Sequence, residues 1–315
     1  MLGILGLQLS SKCHSLCFFV RHVGFPGYPE SVSGDRGGPN TEAIGVWNEI
    51  LVPKFTRFRK VLADGFAEHS RQALARHPVK RGERVLDVGC GFGETTIELA
   101  RATGDAVGID CCEPFLAVGR ADAARAGIAG ARFRCCDAQT ERLPPEFDVC
   151  FSRFGTMFFS QPAAAMGNLR RAMRPGGRLL MIVWRPVDDS PFWAIPKRVA
   201  RGHLPPPPDE AAKCGPGPFS MGDPETLRAI LDAAGWGDAA FEPIDAPIEA
   251  GDTLDDAIAF QLAIGPAGEV VREAGPLGDE KGPAIIADLR AALAPYATAA
   301  GVVLPSASWC VTARA

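Results

Sequence analysis

Residues 85–96 read VLDVGCGFGETT, and this stretch decides the fold. Val85–Val88 are typical of a short buried strand, and Thr95 lies in the first turn of a predicted helix. Between strand and helix, Gly89, Gly91 and Gly93 stand at alternate positions. Glycine permits positive φ and close approach to a ligand, and the N–H groups at a helix start favour an anionic group. The stretch therefore predicts a ligand-binding turn between a strand and a helix.

A dinucleotide-binding turn is one alternative for this stretch. Its pattern is G-x-G-x-x-G/A, with a glycine or alanine at the sixth position. Counted from Gly89 the sixth residue is Glu94, and counted from Gly91 it is Thr96. The pattern therefore fails at its last position, which disfavours a nicotinamide-dependent dehydrogenase.

Strands and helices alternate around the glycine-rich turn. This alternation predicts a parallel sheet with helices on both faces. The predicted strands are 84–88, 106–109, 131–135, 147–152, 178–184, 239–244 and 306–313. The predicted helices include 95–101, 115–126, 163–173, 191–202, 224–234, 253–264 and 283–294, besides a helical segment after Pro53. Asp223 and Thr253 are expected to cap two of them.

The glycine-rich turn fits D-x-G-x-G-x-G, and here the sequence resembles the class I S-adenosylmethionine (SAM)-dependent methyltransferases. The likeness is greatest to bacterial small-molecule enzymes, including the ubiquinone/menaquinone branch. Asp110 after the second strand, Asp137-Ala138 after the third and the turn 173–178 before the fifth follow in the family's order. The resemblance implies an α/β, Rossmann-like, seven-stranded and mostly parallel sheet. It also implies an antiparallel last strand and a helical insertion between strands six and seven.

The resemblance implies SAM as the cofactor and gives roles to three acids. Asp110 would accept both ribose hydroxyls, which suits an acceptor-only carboxylate. Asp137 would accept the adenine amino hydrogen, and Asp87 would order the glycine-rich turn and meet the methionine amino group, directly or through water. The expected cofactor-binding residues are Asp87, Gly89, Cys90, Gly91, Gly93, Thr95, Asp110, Cys111, Asp137, Ala138 and Ser152.

The methyl acceptor is expected to be a small apolar or aromatic molecule. Residues 152–159 read SRFGTMFF, where enzymes acting on DNA amines or protein glutamine carry Asn/Asp-Pro-Pro-aromatic. These side chains could form an apolar wall, although plain core packing is an equal alternative. The expected pocket residues are Trp47, Arg153, Phe154, Met157, Phe158 and Phe219. Segments 41–75, 186–222 and 250–297 are expected to cover the pocket.

No catalytic base stands out, and methyl transfer needs one only if the acceptor atom carries a proton. Of the five histidines, His203 beside the proline run 205–208 is the one candidate. The ten cysteines show no CxxC and no zinc-like Cys/His spacing, so no metal is expected and the thiols read as reduced. A SAM-binding accessory protein without turnover remains an alternative to an enzyme.

Composition restricts the partners and the location. The net charge is −4 over 315 residues and the pI is about 5.8, which leaves no strongly basic field for nucleic acid. No stretch of 18 apolar residues predicts a membrane span, and a chain this long does not need disulfides, so the cytoplasm is expected. Residues 1–40 read as a poorly ordered leader, and 41–315 as one domain with its core at 80–185. The oligomeric state and the acceptor atom stay open.

Overall fold

The computed structural model describes residues 40–206 and 216–315. The expected leader therefore lies outside the described residues, except for Asn40, which is buried. The middle of the expected cover 186–222 also lies outside them. Among the described residues, no helix is long and apolar enough to cross a membrane.

One mixed sheet forms the centre of the fold, in the order β3-β2-β1-β4-β5-β8-β6, with the short β7 paired to β8. Strands β1 to β5 are parallel to one another, and β8 runs antiparallel to both β5 and β6. The strands are β1 Arg84–Val88, β2 Asp105–Asp110, β3 Ala131–Cys135, β4 Phe147–Arg153, β5 Met173–Trp184, β6 Gly237–Gly251, β7 Ala297–Thr298 and β8 Gly301–Arg314. The α/β fold with a mostly parallel sheet is confirmed, and the two-residue β7 adds an eighth strand.

Helices connect the strands and pack against the sheet. They are α1 Thr41–Val46, α2 Val52–Arg57, α3 Ala67–Arg76, α4 Glu94–Thr103, α5 Glu113–Arg125, α6 Pro162–Arg171, α7 Pro191–His203, α8 Pro224–Ala233, α9 Leu254–Ala263, α10 Pro266–Glu273 and α11 Pro276–Leu293. Asp223 caps α8 by accepting from Thr226 N, and Thr253 forms a capping box with Asp256, both as predicted.

The insertion before β8 holds one helix more than the sequence pattern predicted. Instead of a single helix at 283–294 after α9, the chain forms α10 and α11. Each begins with a proline that directly follows a glycine, at Gly265-Pro266 and at Gly275-Pro276. Proline is favoured at the first helical position, so these two Gly-Pro dipeptides mark the starts of the two helices, a signal that the predicted helix bounds do not use.

Strand β6 is much longer than the predicted 239–244. Pro243 and Pro247 argue against a long central strand, because proline cannot donate a ladder hydrogen bond. β6 is the last strand in the sheet order, so its outer edge needs no partner. Both prolines keep their register with β8, opposite Trp309 and Pro305. An edge position therefore allows a strand that composition alone disfavours.

The segment before β1 is an interrupted helix, and ion pairs join it to two of the helices beside the sheet. Two π-helical turns, Trp47–Leu51 and Val61–Gly65, interrupt it between α1, α2 and α3. Arg59 bonds Glu94 of α4 at 2.7 Å and Asp122 of α5 at 2.6 Å. These ion pairs fix the segment over the end of β1, where the glycine-rich turn lies.

Candidate functional site

The backbone of the glycine-rich turn lies against the backbone of a second turn, the one that follows β4. Gly89, Gly91 and Gly93 all have positive φ, at 65°, 54° and 85°. A Cβ on Gly89 would lie 2.8 Å from Gly155 Cα, and a Cβ on Gly155 would lie 2.7 Å from Val88 O. Only glycine at both positions allows the turns after β1 and β4 to meet in this way.

Asp87 supports the glycine-rich turn from behind. Its buried Oδ2 accepts hydrogen bonds from the hydroxyls of Thr95 and Thr96, both at 2.6 Å. Burial raises the pKa of Asp87 to about 6, and the two hydroxyl donors oppose that rise. The second oxygen, Oδ1, is buried and has no hydrogen-bond partner in the described structure. An unpartnered buried oxygen is costly, so it is suited to a donor brought in by a ligand or water.

Asp110 binds the glycine-rich turn and faces the cleft above it. Its Oδ2 accepts from Gly91 N at 2.9 Å, and its Oδ1 accepts from Cys112 N at 2.9 Å. Burial raises the pKa of Asp110, although these N–H donors oppose the rise. A carboxylate has about four acceptor sites, so two remain for a diol.

Asp137 lies in a polar network that the sequence did not reveal. Asn40 Nδ2 donates to Asp137 Oδ2 at 2.8 Å, and Thr140 Oγ1 donates to the same oxygen at 2.7 Å. Ser160 Oγ hydrogen-bonds Asn40 Oδ1, which also accepts from Gln139 Nε2. Asn40 falls within the expected leader, and no sequence signal ties it to this site.

These groups meet in one cleft, which holds about 1240 Å³ of empty space with its open mouth included. Its lining comes from the ends of β1, β2, β3 and β4 and from the segment before β1. The residues are Asn40, Ala43, Ile44, Trp47, Phe55, Leu62, Ala63, Phe66, Val88–Phe92, Glu94, Thr95, Ile109–Cys111, Phe115, Cys136–Ala138, Arg153–Gly155 and Phe158–Ser160.

Eight of the expected cofactor-binding residues line the cleft: Gly89, Cys90, Gly91, Thr95, Asp110, Cys111, Asp137 and Ala138. The other three, Asp87, Gly93 and Ser152, do not line it, and their expected part in cofactor binding stays a prediction. Ser152 is buried and donates to Val88 O at 2.8 Å. Gly93 caps α4, and a Cβ there would meet the Phe133 ring at 2.5 Å. Both hold the turn in place rather than face the cleft.

Four of the six expected acceptor residues line the cleft: Trp47, Arg153, Phe154 and Phe158. Met157 and Phe219 do not, and their expected contact with the acceptor stays a prediction. Met157 is buried, and its Sδ accepts from Trp184 N at 3.4 Å. Phe219 packs against Trp193, with ring centroids 6.3 Å apart. For these two side chains, core packing is the better interpretation.

Of the three segments expected to cover the pocket, the one before β1 contributes lining residues among those that the structure describes. Among the described residues, nothing in 186–206, 216–222 or 250–297 lines the cleft, and the cover comes from 40–66. Trp47 meets Phe158 edge to face at 5.0 Å, and Asn48 Nδ2 bonds Cys111 O at 3.2 Å. The insertion instead packs against α7, where Gln261 Nε2 donates to Phe192 O.

The structure places His203, the catalytic candidate from the sequence, outside the lining of the cleft. Its Nε2 lies 2.8 Å from Asp288 Oδ2 on α11, and it does not line the cleft.

His69 is buried between two serines. Its Nε2 lies 2.8 Å from Ser306 Oγ, and its Nδ1 lies 2.8 Å from Ser308 Oγ. Burial lowers the pKa of His69 to about 4, so this ring is neutral near neutral pH. Within the described residues, no histidine lines the cleft.

Burial keeps two of the thiols that line the cleft protonated, those of Cys90 and Cys136. Burial raises the pKa of Cys90 and raises that of Cys136 to about 12. Asp110, Cys111 and Cys112 are grouped closely enough to share a metal ion, within 4.8 Å. Both Asp110 oxygens, however, already accept backbone N–H bonds. The absence of a metal stays a prediction.

Comparison with known proteins agrees with this geometry. Residues 85–177 match a family model described as a methyltransferase domain. The fold resembles the Bacillus subtilis protein YcgJ, with a TM-score of 0.52 and 17% identity over 78% of this chain and 97% of that one. Residues 85–177 therefore resemble a methyltransferase domain in sequence, and the fold agrees with that resemblance.

The curated relatives compared below are both C-methyltransferases. The domain is similar to the ubiquinone/menaquinone biosynthesis C-methyltransferase UbiE of Azotobacter vinelandii, with 30% identity over 168 residues. The match spans 51% of this chain and 63% of the length of that relative. The UbiE of Bdellovibrio bacteriovorus is 26% identical over 53% of this chain and 72% of its own length. The methyltransferase resemblance is confirmed.

Proposed function

We propose that this protein is an enzyme that transfers a methyl group from SAM to a small apolar or aromatic molecule. One observation carries the proposal: the glycine-rich turn, Asp110 and Asp137 line the same cleft as an aromatic cluster. A nucleoside-binding end and an apolar end in one cleft suit the transfer of a group from cofactor to acceptor. The similarity to UbiE C-methyltransferases supports the same activity.

The residues at the cofactor end fit SAM. Two Asp110 acceptor sites remain free for the ribose hydroxyls, and the polar network of Asn40 and Asp137 offers amide and carboxylate groups to the adenine. The unpartnered Oδ1 of Asp87 can take a donor from the methionine amino group through water. When bound, SAM supplies a methyl group on a positively charged sulfur, which is already an activated leaving group.

The residues at the acceptor end can position an apolar ring. Trp47, Phe55 and Phe158 form edge-to-face contacts with centroids 5.0–5.3 Å apart, and Phe66 packs on Phe154 at 5.4 Å. Holding two reactants in line supplies much of the rate acceleration in such a transfer. Because no histidine of the described residues lines the cleft, the proposal assigns no general base.

The remaining partners and the location are proposals from composition. The net charge of −4 disfavours a nucleic-acid acceptor, and free cysteines at the site suit the reducing cytoplasm. The acceptor is therefore proposed to be a cytoplasmic small molecule.

The decisive experiment incubates the protein with methyl-labelled SAM and a bacterial metabolite extract, followed by mass spectrometry. A labelled small-molecule product that is absent with Asp110→Ala is expected. Binding of SAM without any labelled product would favour the accessory-protein alternative. Label on nucleic acid or protein alone would contradict the proposed acceptor class.

A further inference from the structure

Arg153 is the single cationic side chain among the described residues that line the cleft. The acidic lining residues are Glu94, Asp110 and Asp137. Glu94 is already paired with Arg59 at 2.7 Å, and Asp110 and Asp137 accept hydrogen bonds from neutral donors. No acidic group of the lining is therefore committed to Arg153.

The hydrogen-bonding capacity of Arg153 is mostly unused. A guanidinium carries five N–H donors. One of them reaches Ala63 O at 3.4 Å, and no carboxylate of the described residues lies within 4.0 Å of Arg153. By contrast, Arg59 binds two carboxylates at 2.6 and 2.7 Å.

The surroundings of Arg153 make an unpaired charge costly. Its guanidinium reaches Ala63 O, and the ring of the next residue, Phe154, packs on Phe66 and is stacked on Trp184 at 3.8 Å. Burial lowers the pKa of Arg153, because removal from water disfavours its charged form. The charged groups that act on it, Glu94, Asp87, Glu98 and Asp64, form no ion pair with it. A half-buried cation without a counter-charge is stabilised when a ligand supplies one.

The sheet order places Arg153 away from the nucleoside-binding acids. Asp137 follows β3, Asp110 ends β2, the glycine-rich turn follows β1, and Arg153 ends β4, the next strand in the order. The first-turn N–H groups of α4 already offer a carboxylate site for the cofactor beside the glycine-rich turn. The charge of Arg153 is therefore left for the second reactant.

We propose that Arg153 binds a carboxylate of the methyl acceptor, so that the acceptor class is an aromatic or apolar acid. This inference rests on the proposed function, because it names the acceptor of that same cleft. The guanidinium would donate two parallel N–H bonds to the carboxylate while the aromatic side chains hold the apolar body.

The test compares matched acids and amides on the full chain by calorimetry. The probes are benzoate, cinnamate and 2-naphthoate, each with its primary amide, measured with and without saturating S-adenosylhomocysteine. At least one acid should bind about tenfold or more tighter than its amide to the wild type. Arg153→Met should bring that pair within about twofold of each other, and Arg153→Lys should fall between. Arg185→Met is the control, because Arg185 lies outside the cleft and pairs with Asp189 and Asp245.

Two results would overturn the proposal. One is a wild-type protein that binds no acid more tightly than its amide. The other is an Arg153→Met variant that weakens S-adenosylhomocysteine but not 5′-methylthioadenosine, because only the former carries the methionine carboxylate. Failure of the proposed function looks different: the wild type would then bind no S-adenosylhomocysteine at all.

Discussion

Gly91 donates its backbone N–H to the Asp110 carboxylate at 2.9 Å, which joins the glycine-rich turn after β1 to the end of β2. The same carboxylate accepts from Cys112 N, so it also fixes the start of α5. Asp110 therefore shapes the cleft before any ligand is bound, and its remaining acceptor sites face that cleft.

Replacing Asp110 should weaken cofactor binding more than it weakens the fold. Asp110→Ala removes the proposed ribose acceptor, a loss of about 1.5–3 kcal/mol, or about 10–150-fold in affinity. Asp105→Ala is the matched control, because Asp105 lies at the other end of β2 and is ion-paired with Arg132. Calorimetric titration with S-adenosylhomocysteine measures both variants. Equal affinities for the two variants would refute the role of Asp110.

The contact between Gly155 and Val88 should tolerate no side chain. Gly155→Ala adds a Cβ that would lie 2.7 Å from Val88 O, which we expect to cost about 1–3 kcal/mol of unfolding free energy. Gly45→Ala is the control, because no atom lies within 4 Å of a Cβ there and Gly45 is inside α1. Denaturant unfolding should show Gly45→Ala within about 1 kcal/mol of the wild type, on the stable side. A Gly155→Ala protein of wild-type stability would show that the two turns do not meet.

The neutral His69 ring should make the fold sensitive to acid. Ser306 Oγ donates its proton to Ala246 O at 2.7 Å, so it accepts from His69 Nε2, and Nδ1 accepts from Ser308. The pKa of His69 falls from 6.5 to about 4 on folding, so its stabilising effect is complete above about pH 6.5 and is lost as the pH falls through about 4. The difference between the two pKa values corresponds to about 3 kcal/mol of unfolding free energy.

Unfolding free energies of the wild type and His69→Gln, measured across this pH range, isolate the effect of the ring. The wild type should lose stability more steeply on acidification, because the variant has no group to protonate at this place. Parallel pH profiles would mean that His69 is charged or exposed in the folded protein.

Asp87 should release a proton when the cofactor binds. Its pKa of about 6 leaves it partly protonated at that pH, and a bound cation favours the ionised form. Calorimetry with SAM in two buffers of different ionisation enthalpy should show proton release near about pH 6 and none near about pH 8. The Asp87→Asn variant should show less release than the wild type at the lower pH. Identical proton counts for both proteins would exclude Asp87 as the source.

The sequence predicted the parts of the fold that depend on local signals. The bounds of β1 and β3 match the prediction at 84–88 and 131–135, and the glycines of the turn have the positive φ that their spacing suggested. Asp110 and Asp137 are named because the resembled methyltransferase family carries acids after its second and third strands, and in the structure both line the cleft.

What the sequence could not provide were relationships between distant segments. Asn40 bonds Asp137 across 97 positions, and nothing in its neighbourhood marks it as a binding residue. Met157 and Phe158 are adjacent and both apolar, yet one packs in the core and the other lines the cleft. Pro243 could be placed in a strand only once β6 was known to lie at the sheet edge.

Titration of the purified chain with S-adenosylhomocysteine and, separately, with NAD tests the central claim most directly. The cleft built from the glycine-rich turn, Asp110 and Asp137 predicts saturable one-site binding of S-adenosylhomocysteine and no heat with NAD. Binding of NAD, or no binding of S-adenosylhomocysteine, would contradict the assignment of this cleft to SAM.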